Sequence, residues 1–155
     1  MSIFDTYLMN KAFKWMFAWF AASILTFVFA SVFHSQFVLF GLTQINIDIP
    51  LVEWLRMTFS DLLGLSLTYG LVITFALLIC FGICTVVAKY WRTLPTWSYP
   101  LLGALTIAIM LAAMQPLLNV TLIAGARSHL GFVFQCLAGL IGGYVFARVW
   151  LAFKH

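Results

Sequence analysis

Four long stretches without a charged residue dominate this sequence. A helix needs about 20 mostly apolar residues to cross the hydrocarbon core of a bilayer, and each stretch reaches that length. The uncharged stretches cover residues 15–47, 62–88, 93–126 and 128–147. They predict four membrane spans at about 13–39, 61–88, 97–119 and 128–151.

Composition excludes a water-soluble protein. Hydrophobic residues make up 65% of the 155 residues and charged residues 8%, against about 45–50% and about 25% in soluble domains. So few charges cannot cover the surface of a soluble globule. The net charge of +4 is explained by membrane topology, and no basic stripe interleaved with aromatic residues predicts nucleic-acid binding.

In lipid every backbone polar group must be hydrogen-bonded within the protein, so only helices and closed β-barrels can span a membrane. A β-barrel would need ten-residue segments of alternating hydrophobicity, and the sequence has none, so helices are predicted. The short connections and the absence of repeats predict a single domain over residues 1–155. We therefore expect an all-α fold, an integral membrane antiparallel four-helix bundle.

The distribution of basic residues predicts the orientation of the spans. Six of the eight Lys and Arg residues would lie on one side: Lys11, Lys14, Lys89, Arg92, Arg148 and Lys154. Only Arg56 and Arg127 would lie on the other side. By the positive-inside rule both termini are cytoplasmic. The first apolar run exceeds a signal-peptide core, so it is expected to be retained, and a bacterial cytoplasmic membrane is the predicted location.

The segment 41–60 is the longest connection between spans. Pro50 suits a helix start, and Leu51, Leu55 and Phe59 would share one helical face opposite Glu53 and Arg56. This pattern predicts a short amphipathic helix on the outer leaflet between helices 1 and 2. It would serve either as a cap over the bundle or as a lid over an opening.

Polar side chains are concentrated in the outer half of the predicted bundle. Such groups are costly in hydrocarbon and often mark functional sites. They predict an outward-opening ligand pocket formed by His34, Gln36, Asp61, Tyr69, Gln115, Arg127, His129 and Gln135. The alternative is a set of interfacial residues with one Asp61–Arg127 ion pair. The hydroxyls of Ser23, Thr85 and Thr106, in the other half, are expected to bond back to their own helices.

Catalytic chemistry has little support in this sequence. Neighbouring Ser and His residues on a helix do not face each other. No span carries the central charged residue that a proton-coupled antiporter normally needs. No catalytic residue and no metal site is therefore predicted, and the sequence identifies no cofactor. His34 and His129 are the best candidates if a haem iron or a metal is bound between helices.

Helix 4 carries a pair of small residues, Gly139 and Gly143, at the spacing that brings membrane helices close together. This pair predicts packing within the bundle or, alternatively, a homo-oligomer contact. Overall, the sequence favours a non-catalytic protein that binds a membrane lipid, a quinone-like ligand or a partner protein at its outer half, as a subunit of a larger complex. The alternatives are a transporter component acting as an oligomer and, less favoured, a membrane enzyme or haem protein.

Overall fold

The computed structural model describes residues 3–44, 49–90, 95–118 and 128–153, with side chains described from residue 10 and, in the third range, to residue 114. Within these ranges the chain is all-helical and contains no strand. The elements are α1 (Ile3–Thr43), α2 (Leu51–Leu65), a π-helical turn (Ser66–Gly70), α3 (Leu71–Tyr90), α4 (Ser98–Leu118) and α5 (His129–Ala152).

Three helical stretches are long and apolar enough to cross a membrane, namely Asn10–Thr43, Leu51–Tyr90 and His129–Ala152. The described apolar part of α4, Ser98–Met114, is shorter than this criterion requires. Length and composition therefore support a membrane protein with four helices, because α2, the π-helical turn and α3 form one continuous helix.

That continuous helix differs from the predicted arrangement. We expected a separate interfacial helix followed by a span from about residue 61, but the helix runs unbroken over 40 residues, from Leu51 to Tyr90. No Pro interrupts it after Pro50, and Pro50 itself is extended, with φ −63° and ψ 149°, just before the first helical residue. At 1.5 Å per residue the helix is about 60 Å long, about twice the hydrocarbon thickness.

Close backbone contacts hold α5 against α4. A Cβ atom on Gly103 would overlap the carbonyl oxygen of Gly139, and a Cβ on Gly143 would overlap that of Tyr99. Gly139 and Gly143 are both buried. The predicted packing role of this glycine pair between helices of the same chain is confirmed, whereas association of two copies of the chain through it stays a prediction.

An adjacent face of α5 packs against α1 through small residues. A Cβ on Gly142 would overlap the Thr26 hydroxyl and lie 3.2 Å from the carbonyl oxygen of Ala22. Ala18, Ala22, Thr26 and Ala30, at intervals of four residues, are fully buried. Our sequence analysis missed this stripe on α1, although its four-residue spacing is the same signal as the glycine pair on α5.

Candidate functional site

Polar side chains gather where α1 approaches its end and α5 begins. We call this group the polar band. Its members come from α1, α2, the π-helical turn and α5: His34, Ser35, Gln36, Trp54, Thr58, Asp61, Tyr69 and Gln135. Because the chain folds with these helices in contact, residues up to 105 positions apart in sequence are joined by hydrogen bonds.

Gln135 is the largest fully buried side chain of the polar band, at 1% exposure. Its side-chain oxygen accepts a hydrogen bond from the Tyr69 hydroxyl at 3.0 Å, and its amide nitrogen donates to the carbonyl oxygen of Ala30 at 3.0 Å. One side chain of α5 thus connects α1 and the π-helical turn. Both ends of a buried amide are satisfied, as burial in an apolar interior requires.

Nearer the end of α1, Ser35 and Asp61 join α1 to α2. The Ser35 hydroxyl, fully buried, lies 2.9 Å from Asp61 Oδ2 and donates to it. The carbonyl oxygen of Ser31, at 3.1 Å, is an alternative acceptor for the same proton. The buried His34 lies within electrostatic range of the half-buried Asp61 carboxylate. The carboxylate therefore accepts a hydrogen bond from one polar side chain of α1 and interacts electrostatically with a second.

Gln36 is the member of the polar band nearest the C-terminal end of α1. The Trp54 indole N–H donates to Gln36 Oε1 at 2.9 Å, and Gln36 Nε2 lies 3.5 Å from the Thr58 hydroxyl oxygen. Thr58 in turn donates to the carbonyl oxygen of Trp54 at 3.0 Å. These contacts fix the beginning of α2 against α1.

Our sequence analysis did not identify Trp54 and Thr58 as members of the polar band. Together with Asp61 they follow the spacing i, i+4, i+7, which places them on one helical face. This face is distinct from the apolar face and from the face that carries Glu53 and Arg56. The same spacing rule, applied to every face, would have revealed this third face.

The structure brings together five of the predicted site residues: His34, Gln36, Asp61, Tyr69 and Gln135. His129 is exposed at the first position of α5. The Gln115 side chain and all of Arg127, including the predicted ion pair to Asp61, lie outside the described residues. Binding of a ligand by this set stays a prediction.

The polar band contains Ser, His and Asp, yet its geometry differs from that of a catalytic triad. A nucleophilic serine gives its proton to a histidine, which the carboxylate orients from the other side. Here the Ser35 hydroxyl donates directly to the carboxylate. Among the described residues, no group of three His, Cys, Asp or Glu side chains is arranged to hold a metal ion. The arrangement is therefore better suited to linking helices than to activating a nucleophile.

The hydroxyls of Ser23, Thr85 and Thr106, outside the polar band, behave in two ways. Thr85 and Thr106 donate to the carbonyl oxygens of Phe81 and Leu102, each at 2.7 Å, so their predicted bonding to their own helices is confirmed. For Ser23 that prediction is wrong, because its buried hydroxyl has no hydrogen-bond partner.

The chain matches no protein-family model, no curated protein and no solved structure. Any function must therefore be argued from its own residues.

Proposed function

We propose that this protein is an antiparallel four-helix bundle in a bacterial cytoplasmic membrane, with both termini cytoplasmic. Contacts along the helices support the antiparallel arrangement. On α1 and the Leu51–Tyr90 helix, Trp15 bonds to Thr85 whereas Ser35 bonds to Asp61, so residue numbers rise on one helix as they fall on the other. The charge distribution of the sequence supports the orientation.

The two faces of α2 support its immersion in lipid. Trp54, Thr58 and Asp61 on its polar face contact α1, whereas Leu55 and Phe59 are more than 60% exposed. A helix in water would bury the apolar face and expose the polar one. The reversed arrangement is favourable only where an apolar medium or another protein covers the outside.

We further propose that the outer half of the bundle binds a partner protein, so that the chain is a subunit of a larger membrane complex. The observation that carries this proposal is that none of the 15 residues of α2 is buried within the chain. Its polar face is already bonded to α1, and Gln135 and Tyr69 satisfy each other inside the bundle. A small polar ligand would have to break those bonds, whereas a partner helix packing on Phe59 and Leu63 would not.

Purification from the native membrane in a mild detergent tests this proposal. We expect a second chain in stoichiometric amount, and we expect its loss when Phe59 and Leu63 are both changed to Ala. The matched control changes Leu105 and Ile109 of α4, which are exposed to a similar extent, and should retain the partner.

The other outcomes of this experiment identify the competing functions. A chain that purifies alone, with a lipid or quinone seen by native mass spectrometry and lost on Gln135→Leu, would replace the partner with a small ligand. Solute flux into proteoliposomes that contain only this chain would replace binding with transport.

A further inference from the structure

Two thiols lie next to each other where α3 packs against α4. Cys80 and Cys84 are four residues apart on α3, a spacing that places two side chains on one face of a helix, one turn apart. Their thiol groups interact with each other. Cys84 is buried and Cys80 is half-buried, so the pair is accessible from outside the chain through Cys80. Neither residue belongs to the polar band.

The Cys80 thiol also contacts polar atoms of α4. Its Sγ atom lies 3.8 Å from the carbonyl oxygen of Leu102 and donates to it, and the Thr106 hydroxyl lies within hydrogen-bonding range of the same thiol. Thr106 itself donates to the Leu102 carbonyl oxygen at 2.7 Å, so that oxygen already has a stronger donor. Because an S–H group is a weak donor, little hydrogen bonding is lost when a metal ion replaces the thiol proton.

The number and type of ligands select the kind of metal ion. Thiolate sulfur favours soft ions such as Cu(I). Among the described residues, no third His, Cys, Asp or Glu side chain joins the two thiols. Structural Zn(II) sites take four protein ligands, whereas two sulfur ligands are sufficient for Cu(I). A site with two sulfurs therefore favours Cu(I) over Zn(II).

The charge of the surroundings favours the same ion. The sequence of α3 contains one charged residue, Lys89, near its end, and that of α4 contains none. A charge in such surroundings must be balanced. Cu(I) that binds one thiol and one thiolate displaces one proton, which passes to the solvent. One positive charge enters and one leaves, so the site stays neutral, and neither the metal nor the sulfur changes oxidation state.

We propose that Cys80 and Cys84 together bind one Cu(I) ion at the contact between α3 and α4. Both ligands come from a single helix, and the Leu102 carbonyl and the Thr106 hydroxyl of the facing helix limit the space around Cys80. The site contains no residue of α2, so it goes beyond the proposed partner binding and does not depend on it.

The test is an anaerobic titration of the purified full chain in detergent with Cu(I), in competition with bicinchoninate, whose Cu(I) complex is coloured. We expect the wild-type chain to bind one Cu(I), and we expect Cys80→Ser and Cys84→Ser each to lose this binding. Cys136→Ser is the matched control, because it removes a half-buried thiol of α5 that lies outside the proposed site. This variant should still bind one Cu(I).

A further variant keeps the number of thiols and changes their spacing. Combining Cys84→Ser with Gly82→Cys places the second thiol two residues from Cys80, where the two side chains do not face each other. An added side-chain carbon at Gly82 meets no atom within 4 Å, so the substitution fits the fold. This chain should not bind Cu(I).

The wild-type chain provides a measurement that does not depend on the folding of a variant. Alkylation by N-ethylmaleimide, located by mass spectrometry, should slow at Cys80 when Cu(I) is added and stay unchanged at Cys136. Both thiols are half-buried, so the comparison separates metal binding from general shielding by detergent.

Cu(I) binding that persists when Cys80 and Cys84 are both changed to Ser would overturn the proposal. Equal protection of Cys80 and Cys136 from alkylation, or displacement of Cu(I) by an equal concentration of Zn(II), would overturn it as well. Co-purification of a partner chain with the Cys84→Ser protein should be unchanged, so failure of this proposal and failure of the proposed function give different results.

Discussion

In the described part of this protein, side-chain hydrogen bonds rather than ion pairs join one helix to another. The described salt bridge, Glu53 with Arg56, lies within one helix at 3.8 Å and is exposed. By contrast, the bonds through Gln135 join two other elements to α5. Hydrogen bonds between membrane helices contribute modestly, about 0.6 kcal/mol on average, and Gln135 makes two of them.

Replacing Gln135 by Leu should lower the free energy of unfolding by about 1–2 kcal/mol. The change removes both bonds and leaves the Tyr69 hydroxyl buried without a partner. Unfolding in detergent, followed by circular dichroism, measures the loss. Because Tyr69 and Gln135 are bonded to each other, adding Tyr69→Phe to the Leu variant should cost less than Tyr69→Phe alone.

Tyr144→Phe is the control for that double-mutant comparison, because the Tyr144 hydroxyl contacts the exposed Arg148 on its own helix at 2.9 Å. Additive effects of the changes at Gln135 and Tyr69 would contradict the bond described here.

For single residues, the sequence predicted the position of a side chain along its helix but not the side chains that it contacts. Counting residues from the span ends placed His34, Asp61 and Gln135 near one end of the bundle. The partners of Gln36 depend on the rotation of α2 about its axis, which the number of residues in the preceding connection does not determine. The prediction for Ser23 was wrong because a helical serine usually donates to a carbonyl oxygen of its own helix, whereas the Ser23 hydroxyl makes no such bond.

Glycines allow α4 and α5 to pack closely, because a side chain at these positions would overlap the backbone of the neighbouring helix. Gly143→Ala should destabilise the protein by about 1–3 kcal/mol, because the added methyl group meets backbone atoms of α4, which cannot move aside locally. Gly82→Ala is the matched control, with no atom within 4 Å of the added carbon. It should be neutral or stabilising by up to about 1 kcal/mol. Equal unfolding free energies for the two variants would contradict the α4–α5 contact.

The π-helical turn sets the rotation of α2 relative to α3. Deleting Leu67, which is 77% exposed, should restore regular helical spacing and rotate α2 by about 100°. Asp61 would then leave Ser35. Cysteines introduced at these two positions, in a chain whose native cysteines are replaced, should form a disulfide in the full-length protein and not in the deletion variant. Leu67→Ala, which keeps the residue count, should still form the disulfide.

The elements themselves were largely predictable, and their ends were less so. The predicted spans 97–119 and 128–151 agree with α4 and α5 to within one residue at each end. In contrast, α1 begins ten residues earlier than predicted, at Ile3. Apolar content identifies where lipid surrounds a helix, but the helix continues through Lys11 and Lys14 because these residues are good helix formers.

For the whole molecule, the proposed topology makes a direct prediction. Green fluorescent protein fused after His155 should be fluorescent, and alkaline phosphatase fused after Gln44 should be active, because the first lies in the cytoplasm and the second outside it. Alkaline phosphatase fused after Tyr90 is the control and should be inactive. An active alkaline phosphatase fusion after Tyr90 and an inactive one after Gln44 would reverse the orientation and place the polar band on the cytoplasmic side.

The π-helical turn also has a consequence for evolutionary comparison. A widened turn of this kind corresponds to one surplus residue inside a helix. Homologous sequences that lack it should therefore show a single-residue gap within 66–70. In those homologues the contacts of α3 would be unchanged, while Ser35 and Gln36 of α1 would face different residues of α2. Covariation across positions 35, 36, 54, 58 and 61 should then be confined to the lineages that retain the insertion.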